Sequence, residues 1–307
     1  MMIRELIPVY LKHLKILGRS YYTIKGSRQG LKNLVDFLEQ EKAPSLNDLT
    51  ADILYEYQQD LAFRLTAKGK LLTLGSQAQI LCVIRAFTRF LKDHDYLISD
   101  PGQAITIPKQ PKRLPKVILN PDDIQKLMNA PNVRTNKGYR NRIILEILYD
   151  TAIRRSELAG ITISNLDLNT GYIHVTGKGD KDRVVPISKR VCGLVENYIM
   201  MVRPEFLQGK DTGHLILNRW GGPMDPNGIW AVVKRCAHLA NIRKTVSTHT
   251  FRHSCATHML KNGAPVRHLQ EMLGHASLDT TQFYTHVTIN DLKAIHGKYH
   301  PSEQKDK

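Results

Sequence analysis

Along the first third of the chain apolar residues recur every three or four positions, which predicts helices. Ile3, Leu6, Ile7, Tyr10, Leu11 and Leu14 form one stripe that stops at Gly18. Ser20 is placed to cap a second helix on Ile24, Leu31, Leu34, Val35 and Leu38, which Pro44 and Asn47 break. A third helix is predicted from Ala51 to Leu65. A fourth runs from Gly75 to His94 on Ile80, Val83, Ile84, Phe87 and Leu91. Four helices with short connections predict a small bundle. From Ser99 to Lys116 the pattern collapses into SDPGQAITIPKQPKRLPK, whose four prolines exclude a helix and suit an extended basic linker.

Beyond it, Asn120-Pro121-Asp122 reads as a helix entry. A buried helix, Asn141 to Tyr149, runs into DTAIRRSELAGI, where a new helix starts near Arg154. Strand patterns follow at Gly160 to Leu166, Tyr172 to Thr176 and Arg183 to Ile187. The last two form a hairpin with Gly177, Lys178, Gly179, Lys181 and Arg183 at a basic tip; such tips are often merely solvated, but one can enter a groove. Helices resume at Val191 to Val202 and Pro226 to Ala240. Ser247-Thr248 opens another, which Asn262-Gly263 stops. A short helix from Pro265 to Leu273 closes at Gly274, and the tail carries one more around Leu292 to His296 before a polar end. The fold class expected is mainly α with a small β-sheet. The divisions are 1–107 helical, 108–118 linker, 119–300 second domain and 301–307 tail.

Composition narrows the partner. The chain has 307 residues, 42% apolar, enough for two domains with cores. Its 44 Lys and Arg against 28 Asp and Glu give a formal charge of +16. That excess favours a polyanion, through phosphate neutralisation and counterion release. No apolar run approaches the roughly 20 residues of a spanning helix, and the charged N-terminus lacks a signal peptide's apolar centre. Cys82, Cys192, Cys236 and Cys255 are scattered without a CxxC pair, consistent with thiols in a reducing cytoplasm. Nucleic acid is therefore preferred over membrane. Lys12, Lys15, Arg19, Lys25, Arg28, Lys32, Arg64, Lys68, Lys70, Arg85, Arg89 and Lys92 lie between the apolar rows of the bundle; a soluble bundle would show a mixed-charge exterior, and the basic bias favours a surface that faces DNA.

The chemistry concentrates between Ser247 and His286. His249, Arg252 and His253 share one helical face, His275 follows the Gly274 cap, and Tyr284 stands nine residues later. Taken singly, each is more often a packing or solvated residue. His249 and His253 could ligate zinc, but the helical zinc-protease pattern needs Glu after the first His and Thr250 stands there. Arg154 and Glu157 are three apart at a helix start, where an anion is also welcome, or they form an ordinary surface ion pair.

In combination TAIRRSEL, GKGDKDRVVP, HTFRH, LGHASLDTTQFYTH and LKAIHGKYHP resemble the successive boxes of the tyrosine recombinase, or phage integrase, family; the last two are similar to its bacterial Xer branch. The likeness spans essentially the whole chain. It implies a SAM-like N-terminal four-helix bundle and an α+β tyrosine-recombinase catalytic domain. It makes Arg154, Lys178, His249, Arg252 and His275 the catalytic support, Tyr284 the nucleophile and Glu157 the acidic residue behind them. Ala152 stands where the family commonly has glycine, and an alanine makes a left-handed turn there less comfortable. The resemblance implies double-stranded DNA as substrate, a homo- or hetero-tetramer on two sites, the tail helix docked on a neighbouring subunit, an accessory motor or architectural protein, and no metal or nucleotide cofactor.

The chemistry is coherent. A phenol attacking the scissile phosphorus keeps the bond energy in a 3′-phosphotyrosine. Tyr ionises near pH 10, so about 0.1% is phenolate at pH 7, a deficit of about 4 kcal/mol that neighbouring cations offset. Two arginines suit the negative non-bridging oxygens of the transition state. The resemblance assigns Lys178 as general acid to the 5′ oxygen, His249 to proton transfer at Tyr284 and His275 to a phosphate oxygen. A type IB topoisomerase would use the same groups without synapsis, and a non-catalytic DNA-binding regulator would leave the set unexplained.

Overall fold

The computed structural model describes residues 1–109, 117–177, 182–274 and 289–301, with residues 289–292 by backbone alone. The chain divides into two compact units, Met1–Leu114 and Pro115–Lys307.

In the first unit the four expected helices are α1 (Ile3–Ile16), α2 (Tyr21–Gln40), α3 (Ala51–Phe63) and α4 (Leu74–Asp93). Each of the last three starts at a hydroxyl. Ser20 accepts from the Thr23 amide, Thr50 from Ile53 and Thr73 from Ser76, satisfying amides that have no partner inside the helix. Leu31, Leu34, Tyr57, Leu61, Leu81, Ile84 and Phe87 are fully buried between them. The chain from Pro101 to Ile107 still packs on this unit. Ile105 is buried in this core, Thr106 accepts a 3.0 Å bond from Gln58, and the turn Pro101–Ala104 lies against α4. Its Gly102 is required: a Cβ there would stand 2.1 Å from Thr88 Oγ1. Apolar area at Ile105 and Ile107 stabilises that attachment although the prolines forbid a helix.

The second unit is built around α6 (Asn136–Thr151), preceded by α5 (Pro121–Asn129) and buried on nearly every side. Its buried acids are matched. Glu146 receives Arg142 Nε at 2.6 Å and Arg190 at 2.6 and 3.1 Å, while Asp150 receives the Ser188 amide and hydroxyl, both at 2.7 Å. After α7 (Arg155–Gly160) come β1 (Leu166–Asp167), β2 (Tyr172–Thr176) and β3 (Asp182–Pro186), an antiparallel sheet in that order with Ile173 opposite Val185 and Val175 opposite Arg183. The strand expected from Gly160 to Leu166 is not formed as such. Gly160 ends α7, Ile163–Asn165 is a 3₁₀ turn and only Leu166 enters the sheet. Period-two patterning over so few residues does not separate a strand from a turn anchored by alternate side chains.

α8 (Lys189–Asn197) continues through one π turn, Tyr198–Val202, and a 3₁₀ turn, Arg203–Phe206, where one regular helix was expected. α9 (Pro226–Leu239), α10 (Thr248–Lys261), α11 (Val266–Leu273) and α12 (Ile289–Tyr299) complete the unit. No helix among the described residues is long and apolar enough to cross a membrane. The four cysteines form no disulfide.

The family resemblance assigns the tail helix to a neighbouring subunit; within one chain it has contacts of its own. In this single chain α12 packs on β3 and α11, and His296 and His300 are 2% and 0% exposed at the end of α6. Their Nε2–H groups donate to the backbone carbonyls of Asp150, at 2.8 Å, and Tyr149, at 3.2 Å. The helix buries polar anchors as well as apolar residues, so it has a partner on its own chain.

Candidate active site

The site begins where α6 ends. Ala152 is the C-terminal cap and adopts φ 50°, ψ 26°, the left-handed conformation that its sequence position raised as a difficulty. The turn throws Arg154 to the start of α7, where Glu157 accepts both the Arg154 amide, at 2.7 Å, and its Nη1, also at 2.7 Å. This is not the surface pair that spacing alone allowed, because the Glu157 side chain is only 3% exposed.

Arg252 reaches the same place from α10. Its Nη1 donates to the carbonyl of Ala152 at 2.7 Å and its Nη2 to that of Leu273. Both carbonyls sit at helix C-termini, which present orphan acceptors and negative dipole ends to a cation. Burial, then repulsion from Arg154, lowers the Arg252 guanidinium to about 10, so it stays protonated at neutral pH.

Sequence reading missed the third arginine. Arg183, expected at a basic hairpin tip that either is solvated or enters a groove, turns inward: its Nη1 and Nη2 donate to the two Glu157 oxygens at 3.0 and 2.9 Å, and its Nε to the Met272 carbonyl at 3.1 Å. Burial alone would raise the Glu157 carboxyl, but the hydrogen bonds from Arg183 and Arg154 together hold it below its ordinary value. Arg154 Nη2 donates to the Gly274 carbonyl at 3.2 Å. Three successive carbonyls closing α11, those of Met272, Leu273 and Gly274, thus each receive a different arginine. Three guanidinium groups face one carboxylate, so positive charge is left over for an anion.

Across residues 118–291, more than half of the chain, the sequence matches the model of the phage integrase family. It is 37% identical over 301 residues to tyrosine recombinase XerD of Staphylococcus epidermidis, spanning 96% of this chain and 98% of that one. Against tyrosine recombinase XerD of Staphylococcus aureus it is 36% identical over 297 residues, with the same coverage. This protein belongs to the phage integrase family. Its fold agrees with that of lambda integrase in a tetramer bound to a Holliday junction (TM-score 0.69, 17% identity, 91% of this chain and 76% of that one). It agrees also with XerH recombinase bound to its difH substrate before cleavage (TM-score 0.65, 22% identity, 88% and 78%).

Of the residues that the family resemblance singles out, the structure brings Arg154, Glu157 and Arg252 together. His249 is exposed in the first turn of α10 and His253 half-buried one turn further on. Lys178, His275 and Tyr284 lie outside the described residues. Chain length leaves the phenol within reach, since Tyr284 follows Gly274 by ten residues and an extended chain of that length spans up to about 35 Å.

Among the described residues one cluster has metal-ligand composition: Asp150, His296 and His300. Its geometry suits an anchor rather than an ion. The two imidazoles stack parallel, 4.5 Å apart at 9°, so no point lies in both ring planes, and both Nε2–H groups are spent on carbonyls.

The first unit of this integrase-family chain carries exposed basic rows on two adjacent helices. Lys25, Arg28 and Lys32 lie on α2, and Arg85, Arg89 and Lys92 on α4, where they line a cleft of about 570 Å³ with Asp93, Asp100 and Gln103. Spacings of three and four put each set on one face.

Proposed function

We propose that this chain is a site-specific DNA recombinase of the Xer type, which cleaves and rejoins duplex DNA through a 3′-phosphotyrosine. The observation that carries the proposal is the arginine cluster at the end of α11, with unbalanced positive charge on the α7 and α10 residues that the family resemblance assigns to phosphate. In this reading Arg154 and Arg252 hold the non-bridging oxygens as charge builds in the transition state. Such a preorganised donor contributes about 10²–10³ in rate. Tyr284 attacks phosphorus and Lys178 protonates the departing 5′ oxygen. His249 assists proton transfer at the phenol, His275 donates to the phosphate, and Glu157 holds Arg154 in orientation. The basic rows of α2 and α4 track the DNA backbone.

Similarity to two proteins named tyrosine recombinase XerD over nearly the whole chain supports specific recombination rather than simple relaxation. We take four protomers to act on two sites through a Holliday junction, homo- or heterotypically, in the cytoplasm. An accessory motor or architectural protein, and a role in chromosome-dimer resolution or mobile-element movement, belong to the same proposal.

The test is adduct mapping. Purified protein incubated with sheared genomic DNA, and then with nicked duplexes carrying the recovered site, is expected to form protein–DNA adducts that Tyr284→Phe abolishes. Two-site plasmids should recombine and site-free supercoiled plasmids should not relax. Adducts that persist in Tyr284→Phe, or relaxation without a site, overturn the assignment.

A further inference from the structure

Glu157 is almost wholly buried and its carboxylate accepts four hydrogen bonds: the amide and Nη1 of Arg154, and Nη1 and Nη2 of Arg183. Four acceptor positions are what an ionised carboxylate offers, so the group is saturated and Arg183 supplies half of the donors. Arg183 is also the member that joins separate segments. It lies on β3 opposite Val175, five residues beyond Lys178, and its Nε holds the Met272 carbonyl in the last turn of α11. Gly274, at φ 60°, accommodates it: a Cβ there would come within 3.1–3.2 Å of the Arg183 guanidinium and its Cδ. The Arg183 side chain is 14% exposed against 32% for Arg154, so Arg154 is the better placed of the two to meet a ligand.

We propose that Arg183 is a positioning residue for strand cleavage. It locks Glu157, and through it the Arg154 guanidinium, while tying the β2–β3 hairpin to the end of α11. The proposal rests on the recombinase reading above. Without Arg183 the carboxylate keeps donors from Arg154 alone. It is then free to turn with that side chain, so the guanidinium presents its remaining N–H groups in several orientations instead of one. A lysine at 183 can restore charge and one bond, but not the paired bonds to both oxygens.

The experiment uses full-length protein on nicked duplexes carrying the mapped site, measuring DNA affinity and single-turnover adduct formation separately. Arg183→Met is expected to bind within about twofold of wild type and to form adducts roughly 10- to 100-fold more slowly, the range seen when a supporting hydrogen-bond partner is lost. Arg183→Lys should recover part of that rate. In combination with Arg154→Lys the losses should not add, because both act on one guanidinium. Wild-type cleavage by Arg183→Met overturns the proposal. So does a loss confined to affinity, which would mean direct DNA contact, or additive losses in the double variant. Tyr284→Phe is run alongside. Adducts that survive it sink the recombinase reading itself, whereas Tyr284-dependent adducts with an unaffected Arg183→Met sink the positioning role alone.

Discussion

At the scale of single residues, the site is governed by what surrounds each charge. Arg252 is buried, yet its cost is offset because it caps two helices at once through the Ala152 and Leu273 carbonyls. The same capping exposes a local weakness. Ala152 holds a left-handed conformation that costs an L-residue about 1–2 kcal/mol, against about 0.8 kcal/mol from its buried methyl. Strain is the larger, so Ala152→Gly should stabilise the protein by up to about 1 kcal/mol, read as a raised urea midpoint with unchanged slope. A lower midpoint would show that the methyl's packing, not the backbone, decides this position. Arg154, Glu157 and Arg252 were legible as candidates because family boxes mark them. Arg183 was not, since a basic hairpin residue looks the same in sequence whether it faces water or a buried carboxylate.

Among elements, α12 shows most plainly what packing adds. Its sequence suggested a short helix in need of a neighbour; the structure anchors it at the end of α6 through His296 and His300 beside Asp150. Burial, with help from neighbouring His296, pushes the His300 imidazole well below its ordinary value, and burial likewise lowers His258, which bonds Tyr149 at 2.9 Å. The unfolded chain protonates such groups near pH 6.5, while the folded sites resist it. The unfolded state therefore binds more protons, and stability rises with pH through the window below about 6.5. The urea midpoint of the second unit's transition should fall between about pH 7.5 and about 5.5, and His300→Asn should flatten part of that fall. An identical pH dependence in the variant would remove His300 from the account. Glu157, held below the usual carboxyl range, acts in the opposite sense of charge and at lower pH, where its protonation loosens both arginines.

For the whole molecule, two units with separate cores divide the work in the proposed function: one carries basic helix faces and the other the arginine cluster. If Arg85 and Arg89 contact phosphates, replacing both with Gln should weaken binding to all sequences alike. It should also reduce the slope of log affinity against log salt by about 2, measured by titration at several salt concentrations. A sequence-dependent loss at unchanged slope would place these residues at bases instead.

Hydrophobic spacing with helix start and stop residues in the sequence was enough to place the four N-terminal helices, the start of α5, β2, α9, α10 and α11 to within a few residues, because those signals are local and agree. The family boxes also marked which side chains to watch. Tertiary structure alone decided two things: that His296 and His300 anchor the end of α12 on the last carbonyls of α6, and that Arg183 completes the Glu157 pair. Each depends on contacts between residues far apart in the chain, and burial of a polar group follows from what arrives to satisfy it, which no local pattern encodes.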